Sequence, residues 1–565
     1  MSRLWQNLFE TIATHLRRDR SVDRALAEVV VALGDKALEA SLMEGLALQR
    51  SGDLAAAEAC YAEILRHCPG EARALNFLAI IASMRGDFDL AEDLLRDALA
   101  VCPGNVGCLN TLGTVLSGTG RHAEAAEVLR VALRLAPEAE LARKNLLFLL
   151  NLMPGVSREE LAWEHIEWAR RHVSGHPALP EGGKRRGGQS GDGRLRIGYV
   201  SADFSAVHPV GRIVFPVLKG HDQNVFDVFC YDNSSGQSDL GDLPDRMRDR
   251  WVRVQALDDA ALAERIRADG IDILVDLSGH TRGGRMHVFA RRPAPVQVAW
   301  LGYLSTTGLK AMNWRITESM ADPAPQAQKW HVERLWYLPD CLWPWTPPGC
   351  AADAEVGNAP CMASGHVTFG SFNSFRKINP EVLAMWAEVL RAVPEARLRI
   401  YGVPQGRAVD RLYDRFESLG VDVGRIDLLG LMEYDRYMLA YREVDIALDT
   451  FPYSGGATTC ESLWMGVPVV TLAGEGGFSR TSASFLNAIG LRALVTETPS
   501  VYVRTAATLA ADPARVASLR HTLRHMVSRS PVHDVQRFTR ALEDAYRAMW
   551  QEWCAQQADH GSVRE

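Results

Sequence analysis

Apolar residues return at helical spacing through the first 172 residues, whereas beyond residue 193 they gather into short runs separated by helical stretches. In the first region Gly52, Gly86 and Gly120 stand 34 residues apart, and so do Ala57, Ala91 and Ala125, and Pro69, Pro103 and Pro137. Three series in one phase define a repeated pair of amphipathic helices: Gly in the turn between them, Ala where they approach closely, and Pro at the end of the second. Gly45, Ala79 and Gly113 occupy the matching small position of the first helix, and Tyr61, Leu95 and Leu129 the large position of the second.

A period of this length predicts three tetratricopeptide repeats over residues 38–137. A helical cap is expected at 1–37 and a second cap or connector at 138–176, where LARKNLLFLLNL and EELAWEHIEWARRH keep helical spacing. Such a solenoid offers a concave surface to extended peptides, so we expect a module that docks protein partners; a packing arm or homodimer interface is the other reading. Residues 177–193, PALPEGGKRRGGQSGDG, break every periodicity and read as a linker, the KRR being too short for a nucleic-acid patch.

Apolar runs at 195–200, 226–231, 271–276 and 296–303, and again at 366–372, 396–402, 425–430, 444–449 and 468–472, alternate with helical stretches in the rhythm of two helix-covered parallel sheets. The expected fold is therefore an α-solenoid followed by two Rossmann-like α/β lobes, at 194–340 and 366–530. An interlobe segment at 341–365 joins them, and a C-terminal helix and tail at 531–565, frayed from 555, complete the chain. Neither lobe opens with the G-x-G-x-x-G turn that seats a dinucleotide pyrophosphate, which sets a dehydrogenase aside. Two such lobes facing across a cleft resemble the GT-B architecture of nucleotide-sugar glycosyltransferases, with ligands at the carboxyl ends of the strands.

At 47% hydrophobic and 23% charged residues the 565-residue chain is globular in composition, and a net charge of −7 gives no basic field for nucleic acid or anionic lipid. No run reaches the roughly 18 apolar residues of a membrane span. Ten cysteines without a C-x-x-C pair fit reduced thiols, and the expectation is a cytoplasmic protein. The one Asp-x-Asp triplet, Asp87-Phe88-Asp89, falls in a repeat turn and reads as a helix start rather than a metal site.

Candidate chemistry concentrates in ALDTFPYSGGATTCESLWMGVPVVTL (447–472), a strand, a Gly-containing loop and a helix beginning near Thr458. Ser454, Gly455, Gly456 and Ala457 are small enough for a ligand to reach the backbone, and Thr458 and Thr459 offer hydroxyls beside open helix N–H groups, a seat for a diphosphate. Glu461, a turn further in, is placed to accept from a ribose diol. An ordinary strand-loop-helix connection with Thr as N-cap has the same appearance.

This stretch resembles the signature of the O-GlcNAc transferase and SPINDLY family, in which tetratricopeptide repeats precede a two-lobed glycosyltransferase. SADFSAVHPVG (201–211), DLSGHTRGGR (276–285), RRPAPVQVAWLGYLSTTG (291–308) and SFNSFRKINPEVLAMWAEVLRAVP (371–394) agree with it and follow in family order. The resemblance implies transfer of a sugar from a nucleoside diphosphate to Ser or Thr hydroxyls of proteins, with neither metal nor cofactor. It puts His208 and Pro209 in a cleft-facing loop after the first strand, with His208 as base or positioning group. Asp276 and His280 fall at a second cleft-facing strand end as further catalytic candidates. Lys377 matches the lysine that contacts the donor diphosphate, where its cation offsets charge on the departing nucleotide, and Asn373 and Ser374 lie beside it. Met432 matches a backbone contact to the base and Tyr437 a stacked side chain. Gly302, Tyr303, Thr306, Thr307 and Gly308 form a loop near sugar and acceptor, in which Leu304 replaces a frequent Pro.

The activity so implied is metal-independent, inverting transfer of GlcNAc from UDP-GlcNAc to protein acceptors docked through the repeats, with no nucleic-acid or membrane partner. The SPINDLY branch also includes protein O-fucosyltransferases that use GDP-fucose, and ATTCESLWMG, with Glu at 461, looks nearer that branch. An inactive scaffold working through its repeats is the alternative of a different class.

Overall fold

Asp53 and Asp87 start the second helices of the first two repeats, their carboxylates accepting the backbone N–H of Ala56 and Leu90, each at 3.0 Å. The Asp87 triplet is thus a helix start. The second helices, Leu54–His67, Phe88–Val101 and His122–Leu135, each end two residues before a repeat proline. Gly52 and Gly86 have φ of +90° and +83°, and a Cβ on either would meet nothing within 4 Å, so conformation rather than space requires glycine there. At Gly45 space decides: a Cβ would lie 2.5 Å from the ring of the buried Tyr61.

The computed structural model describes residues 20–173, 175, 193–234, 236 and 243–562, with backbone alone at 20–35 and 559–562. All but the last residue of the expected linker and the first 19 residues of the expected cap lie outside these. One helix, Arg20–Ser51, runs through the boundary expected at 37/38. Two compact units form, Met1–Val115 and Leu116–Glu565, so the second helix of the third repeat packs with the lobes. The helices Glu140–Leu150 and Arg158–His172 belong there too: Leu147, Trp168 and Val173 share one hydrophobic core with Val200, Leu274 and Phe289 of the first lobe. Fully burying side chains of this size is worth about 1.5–3 kcal/mol each, which makes the connector part of the lobe's own core.

In the first lobe β1 (Leu195–Ser201), β2 (Phe226–Asp232), β3 (Trp251–Arg253), β4 (Ile273–Asp276), β5 (Val296–Ala299), β6 (Trp314–Glu318) and β7 (Arg334–Leu338) form a sheet of order β3-β2-β1-β4-β5-β6-β7. In the second, β8 (Thr368–Ser371), β9 (Arg397–Ile400), β10 (Ile426–Leu428), β11 (Ile446–Leu448), β12 (Val469–Leu472) and β13 (Val495–Thr496) are ordered β10-β9-β8-β11-β12-β13. Neighbouring strands are parallel throughout; Ile197 faces Ile273 across β1 and β4, and Ile446 faces Phe369 across β11 and β8. Both orders are the doubly wound one, and both reverse beside the first strand, opening a crevice at the carboxyl ends of β1 and β4 and of β8 and β11.

The chain crosses between the lobes twice. After the helix Pro513–Ser528 on the second lobe it returns, and the helix Val535–Ser562 packs on the first, continuing past the fraying expected from 555. Its Glu543 carboxylate lies 3.0 Å from Nδ1 of His221 and its Tyr546 hydroxyl 3.1 Å from that of Tyr199. The two crossings pair with each other: Trp345 N–H donates to the Val532 carbonyl at 2.7 Å, and His533 Nδ1–H to the Trp345 carbonyl at 3.1 Å.

Candidate active site

Asp449, at the carboxyl end of β11, organises the crevice of the second lobe. One of its carboxylate oxygens accepts the backbone N–H of Thr450 at 2.9 Å and of Gly455 at 2.8 Å, folding the loop 450–455 onto the strand end. The same oxygen accepts the side-chain amide of Asn373 at 2.9 Å, and the other accepts the Thr471 hydroxyl at 2.6 Å. The loops after β8 and β11 and the strand β12 are thereby tied to one buried carboxylate. Asn379 adds a second tie, capping the helix Pro380–Ala392 while its amide N–H bonds the Phe451 carbonyl at 2.5 Å.

Lys377 ends a short 3-10 turn, Phe375–Lys377, after β8. Its ammonium donates to the Ser454 carbonyl at 2.7 Å and stands 4.7 Å from the centre of the Tyr453 ring. Burial pulls the amine down to about 8, against the upward pull of Asp449. Across from it the helix Ala457–Trp464 starts at Gly456 with no side-chain cap, leaving its first turn of N–H groups without that partner. Gly455 allows the tight entry, since a Cβ there would lie 2.3 Å from the Thr459 hydroxyl.

The two threonines part company. Thr458 donates its hydroxyl to the Asn373 amide oxygen at 3.0 Å on the Lys377 side. Thr459 is buried, its hydroxyl 2.7 Å from that of Ser482, so it holds two helices together. Ser374 is exposed beside them.

Glu461 is 2% exposed and saturated with donors: the Tyr434 hydroxyl at 2.5 Å, the Tyr437 hydroxyl at 3.2 Å, and Arg212 of the first lobe at 3.2 Å. Tyr437, expected as a free stacking face, lies parallel to Tyr434 at 5.7 Å and edge-on to Phe372 at 5.5 Å. Phe372 is itself stacked between Tyr441 and Tyr401, at 3.7 and 4.2 Å. Met432 is half-buried in the loop after β10.

In the first lobe His208 is the N-cap of the helix Pro209–Gly220, with Pro209 in its first turn. Its Nδ1 accepts the Val210 N–H at 3.3 Å, which puts the proton of the neutral ring on Nε2, 3.8 Å from a carboxylate oxygen of Asp203. The side chain is 45% exposed. Burial raises the Asp203 carboxyl, while His208 lowers it.

Asp276 and His280 do not join this group. Gly279 and Gly283, both with positive φ, turn the loop after β4 back into the lobe. The Asp276 carboxylate accepts the N–H of Ser278 and Gly279 at 3.2 and 2.8 Å, and burial raises it to about 7. His280 donates from Nε2 to the Thr307 carbonyl at 2.8 Å and packs edge-on against Trp168 at 4.5 Å, with burial keeping its ring neutral.

The expected sugar and acceptor loop is likewise turned inward. The Tyr303 hydroxyl donates to His165 at 2.6 Å and accepts from Asn151 at 3.2 Å, both on the helical connector side. The Thr306 hydroxyl and the Thr307 N–H bond the buried Glu333 carboxylate at 2.7 and 2.6 Å. Asp449, Asn379, Arg212, Asp203 and Glu333 were missed by sequence reasoning: Asp203, Asn379 and Asp449 stand inside the quoted motifs without being singled out, while the Glu461 partner of Arg212 and the Thr306 and Thr307 partners of Glu333 lie far off along the chain.

The sequence profile of glycosyl transferase family 41 matches residues 183–343 and 360–542, and two tetratricopeptide profiles match 42–106 and 106–136. The tomato (Solanum lycopersicum) protein named as a probable UDP-N-acetylglucosamine–peptide N-acetylglucosaminyltransferase SPINDLY is 38% identical over 74% of this chain and 45% of its own length. The Arabidopsis thaliana relative of the same enzyme name, SEC, is 30% identical over 70% of this chain and 40% of its own. The chain thus spans just under half the length of these curated relatives. A solved structure of a Thermobaculum terrenum O-GlcNAc transferase mutant superposes with a TM-score of 0.85 at 38% identity, over 93% of this chain and 99% of that one.

Proposed function

The chain belongs to glycosyl transferase family 41, and from that premise we propose that it is a protein O-glycosyltransferase moving GlcNAc from UDP-GlcNAc to Ser or Thr hydroxyls, with inversion and without a metal. The observation that carries this reading is the meeting of Lys377, Asn373 and Thr458 at the uncapped start of the helix Ala457–Trp464. A cation beside a helix start that no side chain caps, at a strand-order reversal, forms a seat for a diphosphate.

In this reading the diphosphate takes the place of the Ser454 carbonyl as partner of the Lys377 ammonium. The acceptor oxygen bonds the anomeric carbon as the bond from that carbon to the diphosphate breaks, and the electron pair departs with the nucleoside diphosphate. Lys377 meets the charge gathering there, an interaction stronger in the transition state than in the bound donor. His208, with its proton on Nε2, acts as a donor that positions sugar or acceptor. The acceptor proton is taken up on that side, where Asp203 is the adjoining carboxylate and burial favours its protonated form. The burial of Asp276, His280, Tyr303, Thr306 and Thr307 supports a supporting role for them behind the crevice. Met432 and Tyr437 mark the nucleobase end, and the repeats dock the protein acceptor.

A second reading changes the donor to GDP-fucose, as the SPINDLY resemblance allows. It is kept because the SPINDLY-named tomato relative is 38% identical and the SEC relative 30%. The test is transfer from radiolabelled UDP-GlcNAc and GDP-fucose to a protein mixture, with thermal shift by UDP and GDP alongside. Stabilisation by UDP with GlcNAc incorporation is expected. GDP-selective stabilisation moves the donor to fucose, and a chain stabilised by neither and transferring neither sugar is a scaffold.

A further inference from the structure

The 3-10 turn that carries Lys377 is a single short turn, closed by Lys377 N–H to the Ser374 carbonyl at 2.8 Å and Ile378 N–H to the Phe375 carbonyl at 2.9 Å. From behind it is braced by the turn of the third repeat. His122, buried at 5% exposure, has Nε2 at 2.8 Å from the Arg376 carbonyl. A carbonyl only accepts, so Nε2–H donates, and burial brings the imidazole down to about 4, keeping it neutral. Gly120, at φ +76°, lies so close that a Cβ on it would stand 3.1 Å from the Ile378 carbonyl. The helix Glu140–Leu150 supplies Phe148, whose ring lies 4.8 Å under the Arg376 guanidinium and 6.3 Å from the Tyr453 ring. Helical residues thus touch the turn behind the amine, while Tyr453 and Ser454 touch the amine itself.

We propose that His122 is a positioning residue for Lys377: its N–H, given to the carbonyl of Arg376, fixes the peptide plane that enters Lys377 and so sets where the ammonium meets the leaving diphosphate. This rests on the reading of Lys377 as the leaving-group cation. A rotation of that plane would swing the Lys377 Cα, and a displacement on the order of 1 Å costs up to about 100-fold in rate. The third repeat, beyond any docking role, is then part of the donor site's scaffold.

The test is single-turnover transfer by the full-length chain carrying His122→Ala, His122→Asn, His122→Gln, Lys377→Ala or the His122→Ala/Lys377→Ala pair, with donor KM and melting temperature measured for each. His122→Ala and His122→Asn are expected to lower kcat by about 10- to 100-fold with donor KM within about threefold of the parent. His122→Gln, whose longer amide still reaches the carbonyl, should recover most of the rate. In the Lys377→Ala background His122→Ala should cost nothing further, because the group it positions is gone. Equal rates for the Asn and Gln variants, or an undiminished His122→Ala loss in that background, would overturn the proposal even if His122→Ala alone folds poorly. A Lys377→Ala chain that turns over at the parent rate removes the underlying reading; a slow Lys377→Ala beside a full-rate His122→Ala removes only the positioning role.

Discussion

Arg212 of the first lobe gives a guanidinium N–H to the buried carboxylate of Glu461 in the second, at 3.2 Å, and stacks over the Tyr434 ring at 4.7 Å. The pair ties the lobes together at the end of the crevice assigned to the nucleoside. Removing the arginine leaves a buried carboxylate with two tyrosine donors, so Arg212→Ala should cost about 1–3 kcal/mol of stability. Nucleotide affinity should fall about tenfold by the same loss of order. Calorimetric unfolding and UDP titration measure both; unchanged values in both would take the pair out of binding and stability alike.

Lys377→Ala should lower turnover about 10²- to 10³-fold while donor KM moves much less, since its charge acts on the departing diphosphate. Single-turnover rates with saturating donor give the answer, and a parental rate returns Lys377 to an ordinary partly buried lysine.

The same amine gives a pH signature with two opposite signs. Burial holds it at about 8 against an ordinary value of 10.5, and the reaction needs the cation. The donor kcat/KM, which reports the free enzyme, should therefore fall as pH rises through about 8, while kcat holds to higher pH because the bound diphosphate favours the cation. Folding stability should move the other way: between the folded and unfolded values the unfolded chain holds a proton the folded chain has lost, so this residue's contribution rises with pH. Melting temperatures of the parent and Lys377→Met across that range should diverge in the parent's favour; parallel curves would show that the lysine titrates as if solvated.

Thr458 and Thr459 should separate. Thr458→Val removes the tie to Asn373 at the open helix start and should weaken UDP or GDP by about tenfold. Thr459→Val removes the tie to Ser482 and should cost about 1 kcal/mol of stability with little loss of affinity. Titration calorimetry on the two single variants distinguishes them, and identical affinities for both would detach this helix start from the nucleotide.

Truncation should be sensitive to where it stops. A chain beginning at Asn105 keeps the Gly120–His122 turn, so it should still hydrolyse donor while modifying proteins poorly. One beginning at Glu138 loses His122 and should fail at both. Comparable hydrolysis by the two would mean that the third repeat contributes nothing to the donor site.

The repeats were legible because a 34-residue period constrains three positions at once, and nine strands because short apolar-rich runs recur between helical stretches. β6 was not: it reads Trp-Arg-Ile-Thr-Glu yet is buried along its whole length. The fully buried Arg315 lies 3.5 Å from Asp322 and gives N–H to the Leu304 carbonyl, so a charge sits where pattern reading demands an apolar side chain. Strand ends were located correctly at Asp276 and Asp449, but position along a strand does not say which way the next loop turns. At Gly279 it turns inward, and at Asp449 it folds around the carboxylate to face the crevice. The donor loop was readable from its small residues; the bonds that Tyr434, Tyr437 and Arg212 give to Glu461 were not, because they come from two stretches of chain remote from it.

The two crossings between the lobes bond to each other at Trp345, Val532 and His533, one bond running backbone to backbone and the other from an imidazole ring. The segment that enters the second lobe and the segment that leaves it are therefore one junction and not two independent tethers, and a change at either is passed to the other.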